Sequence, residues 1–430
     1  MKPRVVITGA GVTSALGFSR QELFQALLEG RSAVKLRPDW SELMQGNPRV
    51  VAASVELPEE QVKSIKRHYR RSMGPSALFA ALAAKKLVEE TGLTQEQLSS
   101  GRIGCISSST LGSPTETSSA AMAIVNNTFY DQSACQFFKI VSHSSAFNVA
   151  NMLGINGIQL SPCSACASAL QSIGLAYEQL LLGRQDVILA GGSDEVTPIV
   201  LESFRLLHAL GEEPEFAPEE MSRPFDAKRC GLVCGEGAAL LAVETLEHAL
   251  ARGATPLAEI IGYATICTGA QISQSDSASI VRCMKLALED AGVTAKDVDY
   301  VSAHATSTIA GDREEAMAIR ELFGDSVPVS SLKGQLGHTL GASGALETAL
   351  LLEMLSRGIL LPNTNLATPS AESAGLNLIR EPLERSPNII LKNCIAFGGV
   401  NATLIIKKNY SLLANDTRTT HRTHQQGFCR

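Results

Sequence analysis

Residues 166–192, Cys-Ala-Ser-Ala-Leu-Gln-Ser-Ile-Gly-Leu-Ala-Tyr-Glu-Gln-Leu-Leu-Leu-Gly-Arg-Gln-Asp-Val-Ile-Leu-Ala-Gly-Gly, change periodicity part-way. Leu170, Ile173, Tyr177 and Leu180 recur at three- and four-residue intervals, which predicts a helix over 167–182. Residues 186–190 are a short apolar run closed by Gly191-Gly192, the pattern of a strand entering a turn. The same alternation recurs outward from this unit. Strands are predicted at 4–8, 103–107, 257–261 and 298–301, and helices at 20–29, 75–91, 280–291 and 341–355. Alternation of this kind predicts an α/β protein with largely parallel sheets covered by helices. The first strand is expected to stop at the turn Gly9-Ala10-Gly11. A boundary at Gly253-Ala254-Thr255-Pro256 divides the chain into 1–252 and 253–410, with no residue-level repeat visible between the two. The polar stretch 411–430 has no hydrophobic period and is expected to be a disordered tail, His421 and His424 included.

The chain has 430 residues, 45% of them apolar, enough for a large core. Its 37 cationic and 43 anionic side chains leave a net charge of −6, the opposite of the basic excess of a nucleic-acid binder. Ten cysteines without framework spacing predict free thiols in a reducing cytoplasm. The opening apolar run, Val5-Val6-Ile7, is too short for a secretory leader. No window reaches the roughly 18 apolar residues of a membrane span, so no membrane is expected.

Cys166 stands where a loop gives way to the predicted helix. A thiol there meets unpaired backbone N–H groups and the positive end of the helix dipole, and both favour the thiolate. The plain alternative is a small buried hydrophobe. Cys163 and Cys166 also have redox C-x-x-C spacing, and with Cys230 and Cys234 they offer four sulfurs to zinc, although Cys-x-x-x-Cys beside a Gly-Glu-Gly does not read as a zinc knuckle. Two histidines sit in loops of the second half. His304 lies in Ser302-Ala-His-Ala-Thr306-Ser-Thr308, just past a predicted strand, and His338 in Gly337-His-Thr-Leu-Gly341-Ala-Ser-Gly344, leading into a helix. Loops at the carboxyl ends of strands are where open α/β sheets place ligands.

Taken together, Ser164-Ala-Cys166-Ala-Ser168, Ala303-His304-Ala-Thr-Ser-Thr308, Lys333 with Gly337-His338, and Phe397-Gly398-Gly399-Val-Asn401 resemble the β-ketoacyl-[acyl carrier protein] synthases, in the elongating branch with a Cys-His-His triad. Ser222-Arg-Pro-Phe-Asp226 and Gly235-Glu-Gly-Ala238 add to the likeness, which spans about residues 3–408. The resemblance implies a thiolase-like fold, two similar halves forming a five-layered α-β-α-β-α core, usually dimeric. It implies that Cys166 accepts an acyl group, and that His304 and His338 drive loss of CO₂ from a malonyl thioester whose carbon then attacks the acyl-enzyme. In this scheme the backbone N–H groups of Cys166 and Phe397 form the oxyanion hole, and Phe397 gates the nucleophile. Lys333 and Glu347 support the histidines, and Leu111 lines the acyl pocket with Ile395, Thr306 and Thr308 nearby. Substrates would arrive on phosphopantetheine of an acyl carrier protein, with no metal and no redox cofactor. For docking the acidic carrier, the run Lys63 to Arg71 supplies Lys63, Lys66, Arg67, Arg70 and Arg71 without an acid, the alternative being a solvated helix face.

The pattern departs from the family at Ala305, usually glycine, at Cys230, commonly aspartate, and at Val400, usually threonine. Cys394-Ile395-Ala396-Phe397 replaces a typical Ser-Phe-Gly-Phe, and the loop around 268–275 looks short. These changes point toward a polyketide or polyene pathway rather than primary fatty-acid synthesis. Three rivals remain. A thiolase acting on coenzyme A esters would use His338 and Cys394, and a chain-length partner subunit would lack the nucleophile that is present here. A dinucleotide site at Gly9-Ala-Gly11 lacks its third glycine, position 14 being Ser. The assembly is expected to be a homodimer, or a heterodimer with a chain-length-factor-like homologue.

Overall fold

Strands rich in Val, Ile, Leu and Ala, apolar on both faces, must be covered by helices on both sides. The computed structural model describes residues 2–44, 49–269, 272 and 276–408. The tail 411–430 and most of the loop at 268–275 lie outside the described residues.

Two groups of strands share one plan. In the first half these are β1 (Val5–Ser14), β2 (Ile103–Ser108), β3 (Gln159–Leu160), β4 (Val187–Asp194) and β5 (Gly237–Thr245). They lie side by side as β1-β5-β4-β2-β3. In the second half β6 (Ala258–Cys267), β7 (Tyr300–Ser302), β8 (Pro328–Ser330), β9 (Asn377–Leu378), β10 (Ile389–Ala396) and β11 (Val400–Lys408) lie as β6-β11-β10-β7-β8-β9. Directions match too. The first three strands of each row run antiparallel, and the outer strands β4–β2–β3 and β10–β7–β8 run parallel. Three antiparallel residue pairs, Val5↔Ile260 to Ile7↔Ala258, join the rows edge to edge through β1 and β6. The repeat invisible in the residues is thus present in the topology. The sheets are mixed rather than largely parallel, because β5 returns antiparallel beside β4 after a long excursion and β11 returns beside β10 through a tight turn.

Helices complete five layers. On the outer face of the first row lie α1 (Pro75–Thr91) and α2 (Ser144–Leu153), packed with Val187, Leu189 and Leu240. On the outer face of the second lie α4 (Ser277–Ala291) and α5 (Ile309–Phe323), packed with Val301, Leu391 and Ile405. Between the rows run α3 (Ser168–Leu181) and α6 (Ser343–Arg357), in one core with Ile188, Leu241, Ile390 and Leu404. Every residue of α6 from Ser343 to Leu355 is buried, which is why its sequence is apolar all round save for a few charged side chains with partners. Alternate strand residues therefore feed alternate cores.

The first strand does not stop at Gly9. It runs to Ser14, and its glycines serve close packing: a Cβ on Gly11 would lie 1.8 Å from the carbonyl oxygen of Ala83 in α1. No helix begins at these glycines, so the dinucleotide reading falls. A second close approach matters more for function. A Cβ on Gly344 would lie 2.5 Å from the backbone nitrogen of Leu170, so only glycine lets the first turns of α6 and α3 touch.

Candidate active site

The two central helices meet at their N-terminal ends, one from each half. Cys166 sits two residues ahead of α3, on a turn in which Ala165 adopts φ +46°, a conformation that costs a non-glycine residue energy. Ser168 holds that turn. Its hydroxyl accepts from the Ser164 N–H at 2.9 Å and donates to the Ala165 carbonyl at 2.6 Å. Across the seam, the His338 backbone is fixed by donation from its N–H to the Val233 carbonyl at 2.7 Å. Its Nε2 lies 2.9 Å from Cys166 Sγ, and its Nδ1 lies 3.1 Å from the Ser343 hydroxyl. A hydroxyl both donates and accepts, so Ser343 serves either imidazole tautomer.

His304 follows β7, and α5 anchors its loop. The Glu315 carboxylate accepts from the N–H groups of His304 (2.8 Å) and Ala305 (2.7 Å), and Asp312 accepts from Thr306 N–H at 2.9 Å. The two imidazoles meet edge to face with centroids 5.2 Å apart. One sulfur and one ring nitrogen from each histidine all lie within 4.8 Å of one another, and all three residues are buried. His304 Nδ1 is buried without a hydrogen-bond partner.

Beneath the histidines lies a charged base. Lys333 Nζ stands 2.6 Å from one oxygen of Glu347, and Lys392 Nζ stands 2.5 Å from the other. They are ion pairs by distance; Lys333 Nζ and Glu347 Oε2 make no well-aligned hydrogen bond. Burial alone would push the Glu347 carboxyl up, but the two ammonium charges hold it below its ordinary value. Burial, and then the charge of Lys333, hold both imidazoles well below the ordinary value of 6.5, so they are neutral at physiological pH. Burial also pushes the Cys166 thiol up to about 12. Burial of the sulfur therefore outweighs the helix end that favours a thiolate, and the resting pair is a thiol against a neutral imidazole nitrogen. The thiol can lose its proton to His338 Nε2 as it attacks.

The nucleophile opens onto a cavity of about 50 Å³ lined by Cys166, His304, His338, Thr306, Ile395 and Phe397. A wider vestibule of about 330 Å³ adjoins it, lined in part by His208, Cys230, Thr308 and again Phe397. Phe397 belongs to both, in contact range of Phe204 with ring centroids 6.0 Å apart, which is the place of a gate. Thr308 also reaches the inner cavity. Within the single chain the Leu111 side chain is 56% exposed and lines neither cavity, although its loop is held inward by the Ser109 and Thr110 bonds to Asp194. The five cations of the basic run are exposed except for Arg70, which is half-buried, and Glu59, one turn upstream, pairs with Lys63 at 2.6 Å. The run itself contains no acid, but Lys63 is shared with this neighbour.

Sequence reasoning missed Glu315, Asp312, Asn393 and Lys392. A lysine inside the apolar run Ile389-Ile-Leu-Lys392-Asn-Cys-Ile was a usable signal, since a buried charge needs a buried partner. Among the described residues the only group of three donors close enough for a metal ion is Cys166, His304 and His338, so the zinc reading with Cys163 and Cys230 is not what forms. All nine described cysteines are free, Cys163 and Cys166 included. Cys394 is buried in the central core and does not line the inner cavity, which disfavours the thiolase reading.

Residues 2–249 match the family described as "Beta-ketoacyl synthase, N-terminal domain", and residues 257–367 match its C-terminal domain. The chain belongs to the β-ketoacyl synthase family. Escherichia coli 3-oxoacyl-[acyl-carrier-protein] synthase 1 is 36% identical over 408 residues, covering 94% of this chain and 99% of that protein. The crystal structure of a β-ketoacyl synthase from Burkholderia phymatum superposes with a TM-score of 0.89 at 38% identity, over 95% of this chain and all 100% of that one. The ishigamide ketosynthase/chain length factor structure gives 0.87 at 29% identity, again over 95% and 100%. These likenesses bear out the thiolase-like fold and the condensing-enzyme reading. Among the described residues no helix is long and apolar enough to cross a membrane.

Proposed function

We propose that this β-ketoacyl synthase joins an acyl group to a malonyl-derived unit on an acyl carrier protein, with loss of CO₂. The observation that carries the reading is the convergence of Cys166 Sγ with one nitrogen each of His304 and His338 within 4.8 Å. In the first stage Cys166 attacks an acyl thioester. Its proton passes through His338 Nε2 to the departing pantetheine sulfur, leaving acyl-S-Cys166 and a free pantetheine thiol. Backbone N–H groups of Cys166 and Phe397 are the proposed donors to the tetrahedral oxyanion, a term that usually dominates acyl transfer. In the second stage malonyl thioester loses CO₂. The carbonyl oxygen gains negative charge as the enolate forms, and the N–H groups of the neutral imidazoles stabilise it. The enolate carbon then attacks the acyl carbonyl, and Cys166 sulfur leaves and takes up a proton.

Several finer points belong to the proposal. No cofactor is needed beyond the phosphopantetheine that carries the substrates. Lys66, Arg67 and Arg71 are the docking cations for the acidic carrier, with Lys63 shared by Glu59. The two halves divide at 253. Ile395 and Ala396 beside the gate favour a specialised polyketide or polyene chain over primary fatty acids. The edge strand β3 and the exposed Leu111, Phe129, Tyr130, Phe137 and Leu160 would be covered by a second ketosynthase-fold subunit in the cytoplasm, identical or chain-length-factor-like.

Incubation with acyl-carrier and malonyl-carrier tests the reading. The expected result is an acyl mass increment on Cys166, followed by CO₂ and a β-ketoacyl-carrier product. Condensation from coenzyme A esters with no CO₂ released would overturn it.

A further inference from the structure

Strand β10 is buried along all eight residues, and in its middle Lys392 has no exposed surface. Its ammonium group is held on two sides, 2.5 Å from Glu347 Oε2 and donating to the Asn393 carbonyl at 2.7 Å. Glu347 already has a cation, since Lys333 stands 2.6 Å from its other oxygen. One carboxylate between two ammonium groups leaves this trio with one surplus positive charge, with Glu315 a further carboxylate acting on Lys392. Lys333 stands at one oxygen of Glu347 only, so Lys392 is the cation that meets the other, and burying two ammonium groups in one cluster is unfavourable.

The cluster is also wired to the other histidine loop. Asn393, next in the strand, donates from Nδ2 to Glu315 Oε1 at 3.2 Å and accepts from the Thr403 hydroxyl at 2.9 Å. Glu315 is the carboxylate that anchors the His304 and Ala305 backbone. Lys392 thus sits between the support of Lys333 and the support of His304.

We propose that Lys392 is a positioning residue for decarboxylation: its tethered ammonium fixes Glu347 and sets a second positive charge beneath His304 and His338, so that both imidazoles meet the malonyl thioester as uncharged N–H donors. The inference rests on the condensing reading above. The direction of the electrostatics agrees, for the charges of Lys333 and Lys392 both oppose protonation of each imidazole. The other titratable groups around the pair are Glu347 on α6, Glu315 and Asp312 on α5, Cys166 before α3, Cys394 on β10, Tyr300 on β7 and Asp194 on β4. The carboxylates among them favour an imidazolium; the two lysines are the groups that counter it.

The test compares Lys392→Gln with Lys392→Arg, measuring Cys166 acylation by intact mass and malonyl-carrier decarboxylation as a function of pH. Lys392→Gln keeps a polar side chain and removes the charge. It is expected to load Cys166 within about twofold of the parent while decarboxylation falls at least about tenfold. The acid limb of its pH profile should move up by about one pH unit, because an imidazole freed from a nearby positive charge protonates more readily. Lys392→Arg should leave the acid limb where it is. An unmoved acid limb in folded Lys392→Gln overturns the inference, and so does an equal loss of loading and decarboxylation. If Lys392→Gln does not fold, Lys392→Ala decides with added methylammonium: recovered decarboxylation supports the proposal, and no recovery in a folded protein contradicts it. A parent enzyme that neither loads Cys166 nor releases CO₂ would instead sink the condensing reading itself.

Discussion

Strands β4 and β10 occupy the same place in the two halves, are eight residues long and are buried throughout, yet they carry different freight. In Val187-Ile-Leu-Ala190 the fourth residue faces the central core as a methyl group; in Ile389-Ile-Leu-Lys392 it is an ammonium. The first half is an apolar frame that holds one sulfur on a strained turn. Its charged support is a carboxylate, Asp194, which accepts from the Ser109 hydroxyl, the Thr110 N–H and the Gly341 N–H and so ties its own loop to the loop after His338. The second half uses the same strand order to hold two imidazoles over a charged base. Duplicated topology fixes where loops can meet, whereas the buried side chains decide which chemistry meets there.

The comparison can be broken first at its reactive atom. Cys166→Ala should reduce condensation at least about a thousandfold while the fold persists, since the removed thiol is the acyl acceptor. Condensation at the parent rate would remove the first half from the chemistry. Next comes the matched strand position. Ala190→Lys puts into the first half what the second half has at Lys392, but without Glu347, and should cost about 3–5 kcal/mol of unfolding free energy in chemical denaturation. A neutral outcome would mean that the first half too can satisfy a buried ammonium.

Acid titration sharpens the contrast on a smaller scale. An imidazole with a folded-state value held well below 6.5 stays neutral while the unfolded chain takes up protons. The stability tied to each histidine is therefore present above about pH 6.5 and lost as pH falls. Decarboxylation should stay flat through pH 6.5 and decline only below it; a midpoint at or above 6.5 would show that the base does not keep the imidazoles neutral. The smallest effect belongs to the surface. Charge removal at Lys66, Arg67 and Arg71 should raise KM for carrier-bound substrate by several-fold at low salt and leave kcat alone, with each contact worth about 0.2–1 kcal/mol. Equal KM at low and high salt in the parent enzyme would argue against docking there.

Local signals made the α/β alternation, the nucleophile at a helix start and both histidine loops legible from residues alone. Those features depend on short-range chemistry such as glycine turns and apolar periods. What stayed hidden depends on distant partners. Gly9 and Gly11 read as a turn because α1 lies more than sixty residues away, and only its approach to β1 explains them. β5 returns beside β4 only after a long excursion from Asp194 to Gly237, which leaves no local signal for that antiparallel pairing, whereas the Gly398-Gly399 turn between β10 and β11 is a signal that sequence reasoning passed over. Glu315 and Lys392 looked like ordinary charges until the fold buried them. The Cys166 thiol was judged by its helix and not by its burial, which dominates. Leu111, expected in the acyl pocket by resemblance, is exposed in the folded chain.

A single-turnover experiment on His304→Ala, scoring Cys166 acylation and CO₂ release in one reaction, tests the division of labour most directly. The account predicts full acyl loading of Cys166 with CO₂ release slowed by about a hundredfold or more. Loading and CO₂ release both at parental rates would contradict it.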